Sequence, residues 1–492
     1  MPSTFARKLL PAVIFVCLFA FESAAQQAAT AAAPSAPPSA AASRRADELI
    51  ALLNSGDRAA VRAYVNDHFS RSSNERVPLE QRVNNFSRLH DTTRGVELLS
   101  VRGTKPNEIA ALVRSKLTGQ LSELIVEVEP EAPHRVNRMG LGPASDAARP
   151  ARKLTDAELT RELDAFIQKL AGADIFSGAV LVARNGEPLF KKAYGEANKD
   201  FAAPNRVDTK FNLGSMNKMF TAVAIAQLVE RGKLSFDDPL SKFLPDFPSK
   251  EAAEKVKIKH LLTHTSGLGS YFNQQFVEGS RARFRSVDDF LALAKNETLQ
   301  FEPGARWSYS NTGFLVLGKI VEKVSGQSYY DYVRAETYVR AGMTNTVSYE
   351  LDSVNPNLAV GYQKEYSDAG ATFRNNIFAH VIRGGPAGGG YSTVEDLLRF
   401  DVALRSGKLV GPEYVKLLLA PKPELNSPEY GYGFGYDADL NTAGHTGGFL
   451  GISSSLDMYL GNGYTAVVMS NYGGGMQPVN AKIQELIQAA TR

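Results

Sequence analysis

The sequence has little cysteine, little tryptophan and almost no net charge. Cys17 is the single cysteine among 492 residues, and there is one tryptophan. Cys17 falls in a leading segment expected to be removed, so the mature chain should carry no thiol, no disulfide and no cysteine-ligated metal. A chain without thiols is compatible with an oxidising compartment such as a periplasm. Fifty-five basic residues against 52 acidic ones leave a formal charge of +3. That balance gives no warrant for nucleic acid or an acidic membrane surface as a partner. Past the first 25 residues no stretch is both long and apolar enough to span a bilayer, so no stable membrane span is expected after export. Hydrophobic residues make up 43% and charged residues 22%, the ordinary balance of a soluble globular protein. The length suggests two or three domains.

Residues 1–25 read as a secretory signal peptide. Arg7 and Lys8 supply a basic start, Leu9 to Phe21 an apolar run, and Ser23-Ala24-Ala25 a small-residue cleavage region. The run ends at Glu22 and is too short for an anchor. Phe15 and Val16 precede Cys17, which does not suit a lipoprotein site. The protein is therefore expected to be exported, either periplasmic or secreted. Residues 26–43 are largely Ala, Pro and Ser and read as a flexible spacer.

Residues 44–142 predict a small α+β domain. Helical patterns at Ala46–Leu53 and Ala59–Phe69 precede alternating segments at Val96–Val101, Ile109–Arg114, Leu124–Val128 and Val136–Leu141. Helices followed by a meander suggest a curved antiparallel sheet with helices packed on it, an order similar to the cone-shaped domains of the nuclear-transport-factor type. His68, His90 and His134 are scattered and make no catalytic cluster. Nothing in this segment identifies a partner, although it could dock the chain to one.

Residues 143–154 read as a second linker. Thr155 and Glu158 then form a capping box, and Leu159, Leu163, Phe166, Ile167 and Leu170 share one helix face. Strand patterns follow at Gly178–Ala183 and Leu189–Tyr194. The chain ends with strands at Ile452–Leu460 and Tyr464–Asn471 and a helix carrying Ile483, Leu486 and Ile487. Strands and a helix at both ends predict one antiparallel sheet closed by the two termini, with a helix-rich insertion between them. The fold class expected for 155–492 is therefore α/β (α+β).

Three short motifs carry chemistry. Ser215 and Lys218 are three apart at the start of a helical pattern running to about Glu230, so they share a face. A helix start favours an oxyanion. A serine needs a neighbouring base, and a lysine with a lowered pKa can serve. Tyr309-Ser310-Asn311 lies on a loop before a helical pattern at Leu315–Val324, where a tyrosine hydroxyl near an ammonium can shuttle a proton. Gly444-His445-Thr446-Gly447-Gly448 opens a late strand whose small residues let a substrate backbone approach an edge. The bland readings are a helix cap at Ser215, a solvated lysine, a packed tyrosine and a glycine-rich turn.

In this order the motifs resemble those of the serine β-lactamase and penicillin-binding protein superfamily. The likeness is strongest to the class C branch that also holds D-alanyl-D-alanine carboxypeptidases, D-aminopeptidases and esterases. His260 to Leu268 and Pro386 to Thr393 resemble further signature loops of that branch. The resemblance covers about residue 155 onward and implies a β-lactamase-like fold and a serine hydrolase with no cofactor. It implies Ser215 as nucleophile, with Lys218 and Tyr309 moving the proton and Tyr309 activating the deacylating water. The backbone N–H groups of Ser215 and Gly448 become the oxyanion hole. Asn311, His445, Thr446 and Gly447 become substrate contacts. His260 and His264 have the four-residue spacing of zinc ligands. No Glu lies between them and no third ligand is evident, so no metal is expected. Many β-lactamases carry lysine where this chain has His445, and a histidine that is neutral near pH 7 does not attract a β-lactam carboxylate. The implied substrate is a small molecule or peptide, with a D-amino-acid peptide or small ester favoured over a β-lactam. A catalytically inactive sensor or binding protein and a true class C-like β-lactamase are the alternatives.

Overall fold

The computed structural model describes residues 38–144 and 153–491. The expected signal peptide, most of the first spacer and most of the second linker lie outside the described residues.

In the N-terminal part, Ser39 caps helix α1 (Ala40–Ser55) by accepting from the Ala42 N–H, and Gly56 ends it at φ +65°. This corrects one boundary, because α1 begins inside the expected 26–43 spacer. Ala40, Ala41 and Ala42 are strong helix formers once a cap precedes them. Helix α2 (Arg58–His68) is capped by Asp57. Helices α3 (Arg71–Arg76) and α4 (Leu79–Thr93) were not anticipated. In α4, Val83 and Phe86 face the core at helical spacing, but the intervening Arg82, Asn84 and Asn85 dilute the pattern.

Strands β1 (Val96–Lys105), β2 (Glu108–Ser115), β3 (Leu121–Val128) and β4 (Val136–Pro143) form an antiparallel meander in that order. Leu49 and Leu53 of α1 meet Ile109, Leu124 and Val126 in one core.

The remainder is built on helix α5 (Asp156–Gly172) and a six-stranded antiparallel sheet. Its strands are β5 (Gly178–Arg184), β6 (Glu187–Tyr194), β7 (Gly435–Asp437), β8 (Thr442–Phe449), β9 (Ile452–Tyr459) and β10 (Tyr464–Ser470). The order is β7-β8-β9-β10-β5-β6, so the last strand pairs with the first of this part, with Val467 opposite Leu181. The two ends of the segment thereby close one sheet. Both faces are covered. Val180 and Val182 pack with α5 and the terminal helix, while Ala179, Leu181 and Ala183 pack into the helix-rich side. Strands buried on both faces read as continuous apolar runs. Each fully buried Leu or Val contributes roughly 1.5–3 kcal/mol by transfer from water.

The helices that matter for the site are α6 (Asn217–Glu230), α7 (Asn311–Ser325) and α8 (Val394–Arg405), and α9 (Met476–Thr491) closes the chain. Among the described residues no helix is long and apolar enough to cross a membrane.

Candidate active site

Ser215 stands on a 3₁₀ turn, Gly214–Met216, that feeds directly into α6. Within the run Phe211–Phe220 every residue except Ser215 is buried. Gly214 takes φ +52°, and a Cβ there would lie 2.7 Å from the Gly448 nitrogen and 2.9 Å from the Gly447 Cα. A Cβ on Gly447 would lie 1.9 Å from the Leu213 carbonyl oxygen. These glycines let the Ser215 turn press against β8 with no side chain between. On its other side the Gly389 N–H donates to the Gly214 carbonyl at 3.1 Å, and the Pro386–Thr393 loop closes over the turn.

One expected outcome follows from this contact. Gly447→Ala should destabilise the fold by about 1–3 kcal/mol through overpacking, because the obstructing atom is backbone and cannot swing away. A thermal melt checks this, and an unchanged midpoint would show that β8 yields freely.

Lys218 is fully buried on α6, not on a solvated face. Its Nζ donates to Asn311 Oδ1 at 2.9 Å and to the Ala387 carbonyl at 2.5 Å. It also lies 4.8 Å from the centre of the Tyr309 ring and 5.5 Å from that of Phe314. Among the described residues no carboxylate pairs with it. Burial without a counter-charge pushes the ammonium well below the ordinary lysine range.

The half-buried Tyr309 sits within hydrogen-bond reach of the Ser215 hydroxyl. Burial raises its phenol well above the usual value, and the Ser215 bond works the other way. The ring is fixed from behind by His264, whose centroid is 4.3 Å away. His264 Nδ1 accepts the Ser310 N–H at 3.0 Å. Ser310 caps α7 and donates its hydroxyl to the Gly269 carbonyl at 2.9 Å. Asn311 reaches both ways, accepting from Lys218 and donating to Ser270 Oγ at 3.1 Å.

His445 lies in the interior of β8, not at its opening, and is buried. Its Nδ1–H donates to the Thr446 carbonyl at 2.5 Å, and its Nε2 accepts from the Tyr430 hydroxyl at 2.8 Å. Burial, with the Lys218 charge adding to it, holds the imidazole down to about 3. Both ring nitrogens are engaged, and the ring is neutral at physiological pH. Thr446 and Gly448 are exposed on the strand, whereas Gly447 is buried.

The fold therefore gathers Ser215, Lys218, Tyr309 and Asn311, with β8 alongside. Tyr430, Ser270 and the Ala387 carbonyl were not foreseen. Pro386–Thr393 was noticed as a motif, but no sequence signal marks Tyr430 or Ser270. Among the described residues no group of three or more His, Cys, Asp or Glu gathers as metal ligands.

The closed antiparallel sheet, the helical insertion and the serine–lysine–tyrosine cleft define a serine hydrolase. The β-lactamase family model matches residues 163–491, and the chain belongs to that family, within the β-lactamase and penicillin-binding protein superfamily. The chain is similar to the esterase EstB of Burkholderia gladioli, at 29% identity over 385 residues, covering 69% of this chain and 97% of the relative. It is also similar to the teichoic acid D-alanine hydrolase of Staphylococcus aureus, at 28% over 310 residues, covering 63% and 73%. A solved penicillin-binding protein from Bacillus halodurans superposes with a TM-score of 0.59 at 32% identity, covering 68% of this chain and 99% of that one.

Proposed function

We propose that this chain is an exported acyl-transferring hydrolase that cleaves small esters or D-aminoacyl amides and esters. The observation that carries the reading is Ser215 placed beside Tyr309, whose ring lies 4.8 Å from the Nζ of a buried Lys218 that lacks a carboxylate partner. Ser215 Oγ attacks the substrate carbonyl while its proton passes to the Tyr309–Lys218 pair, which returns it to the departing alcohol or amine. The N–H groups of Ser215 and Gly448 receive the developing oxyanion. Water then attacks the acyl carbonyl through Tyr309, which takes the water proton as its own passes to Lys218, and the pair returns one proton to Ser215 Oγ as the acid departs. Asn311 orients Lys218 and borders the substrate, and Thr446 presents its exposed side chain to it.

The substrate preference rests on His445. A neutral ring with both nitrogens occupied offers no cation to a substrate carboxylate. Two of the relatives, an esterase and a teichoic acid D-alanine hydrolase, fit the same preference. Export rests on the basic, apolar and small-residue segments of residues 1–25.

The test is a panel of p-nitrophenyl esters, D-alanyl esters and amides, and a chromogenic cephalosporin. The expected kcat/KM for the cephalosporin is at least roughly 100-fold below that for the best ester or D-aminoacyl substrate. Cephalosporin hydrolysis as fast as ester hydrolysis would return the chain to the β-lactamase reading.

A further inference from the structure

We propose that the N-terminal domain positions the substrate-side strand β8 through the hairpin of residues 362–375, with Asp91 as the positioning residue. The hairpin consists of strands Tyr362–Ser367 and Gly370–Asn375. It belongs to the hydrolase part of the chain, yet one side of it is held by the N-terminal helices. Asp91, buried near the end of α4, bonds Lys364 Nζ at 2.5 Å and accepts from the Tyr366 hydroxyl at 3.2 Å. Arg94 also pairs with Asp91, at 2.8 Å. Near the hairpin tip, Asp368 pairs with Arg58 at 2.9 Å and Arg62 at 3.2 Å, both on α2.

The two feet of the hairpin clasp the turn that follows β8. Gln363 Oε1 accepts the Gly451 N–H at 3.3 Å, and Asn376 Nδ2 donates to the Leu450 carbonyl at 2.8 Å. The backbones touch as well, since a Cβ on Gly451 would lie 2.6 Å from the Tyr362 nitrogen. Tyr362 is itself tied to the sheet end, its N–H donating to the Asn471 carbonyl at 2.7 Å. Gly451 is three residues from Gly448, whose N–H the proposed mechanism places in the oxyanion hole.

A continuous path of bonds thus runs from α4 through Lys364 and Gln363 to the turn that ends β8. The Asp91–Lys364 pair is mostly shielded from water, so Asp91→Asn leaves Lys364 poorly solvated without its carboxylate, while Lys364→Met leaves Asp91 with Arg94 and frees the hairpin from α4. The hairpin can then relax, and the turn it grips relaxes with it. The functional half of this inference rests on the Ser215 reading; the mechanical half does not.

The experiment uses the full-length protein with Asp91→Asn, Lys364→Met and the charge exchange Asp91→Lys with Lys364→Asp. Two readouts are taken. One is hydrogen exchange of the segment spanning Phe449–Gly451, which needs no substrate. The other is kcat and KM normalised to Ser215 labelled by a fluorophosphonate probe. Each single variant should speed exchange of that segment by about 3- to 10-fold and lower kcat/KM by a similar factor. The charge exchange should restore part of both. Unchanged exchange and unchanged normalised kcat/KM in both single variants, even with a lowered melting temperature, would overturn the inference and leave the domain contact as packing alone. If the wild type turns over no substrate, the Ser215 reading has failed and the exchange result alone decides the inference.

Discussion

Ser215→Ala is expected to abolish covalent labelling by a fluorophosphonate or a fluorescent penicillin and to lower ester hydrolysis by roughly 10⁴- to 10⁶-fold. The size of the loss follows from the geometry. Ser215 is the one residue of the run Phe211–Phe220 that is not buried, and the proposed mechanism draws its attacking oxygen from this side chain alone. Removing the nucleophile also removes the reason for the pair, so the loss should approach that of deleting all three groups together. Folding should survive. The Ser215 side chain is only partly buried and fills no core position, so the melting temperature should move by no more than about 2 °C. The comparison is between intact wild type and variant, by gel fluorescence and by progress curves at matched concentration. Equal labelling of the two would remove Ser215 as nucleophile. An absence of label and turnover in both would favour the binding-protein alternative raised by the sequence.

Much of this site was legible in the sequence because its geometry is local. Ser215 and Lys218 stand one turn apart where α6 begins, and the Tyr309-Ser310-Asn311 loop was read ahead of the helical pattern that became α7. The terminal strands were legible from their apolar runs and the turns at Asn185-Gly186 and Gly461-Asn462-Gly463. What was not legible depends on contacts between distant segments. Nothing in the order of residues shows that Lys218 would be capped by the Ala387 carbonyl, 169 residues away, or that Tyr430 would occupy His445 Nε2. The segment Gly444–Gly448 read as the opening of a strand, with a glycine-rich turn as the bland alternative, because glycine has low strand propensity. Its glycines are there because Leu213 and the Ser215 turn come too close for any side chain. Helix α4 was hidden for a related reason: Arg82 on its buried face stacks on Phe69 at 4.2 Å and donates to Ser73, so a charged residue stands where the periodicity asks for an apolar one. The 362–375 hairpin shows the same limit, since its charged residues look like solvated surface until Asp91, Arg58 and Arg62 arrive from the N-terminal helices.

Lys218→Met is expected to combine a large loss of activity with a distinct change in how stability depends on pH. On activity, removing the proposed general base should cost about 10²- to 10⁴-fold in kcat/KM, while fluorophosphonate labelling, with its better leaving group, should fall less. On stability, the sign follows from proton counts. The folded-state pKa of Lys218 lies well below its ordinary value because the ammonium is buried without a counter-charge. Between that lowered value and about 10.5, the unfolded chain holds a proton at this residue that the folded chain has released. Stability therefore rises with pH across that window, by about 1.4 kcal/mol per pH unit for the one proton. The cost of burying the amine is absent above the unfolded pKa and full below the folded one, and in both regions the slope is zero. Methionine has similar length and no titration. The difference in unfolding free energy between wild type and Lys218→Met should thus drift in favour of the wild type as pH rises through this window, and flatten at its edges. Denaturant melts of both proteins at a series of pH values measure that drift directly. The wild-type pH–rate profile for kcat/KM should lose activity toward acid as the coupled Lys218–Tyr309 pair takes up its proton. A stability difference that stays flat with pH would mean that the buried amine is charged in the folded protein. Lys218 would then act as a fixed cation beside Tyr309, and Tyr309 alone would have to accept the serine proton.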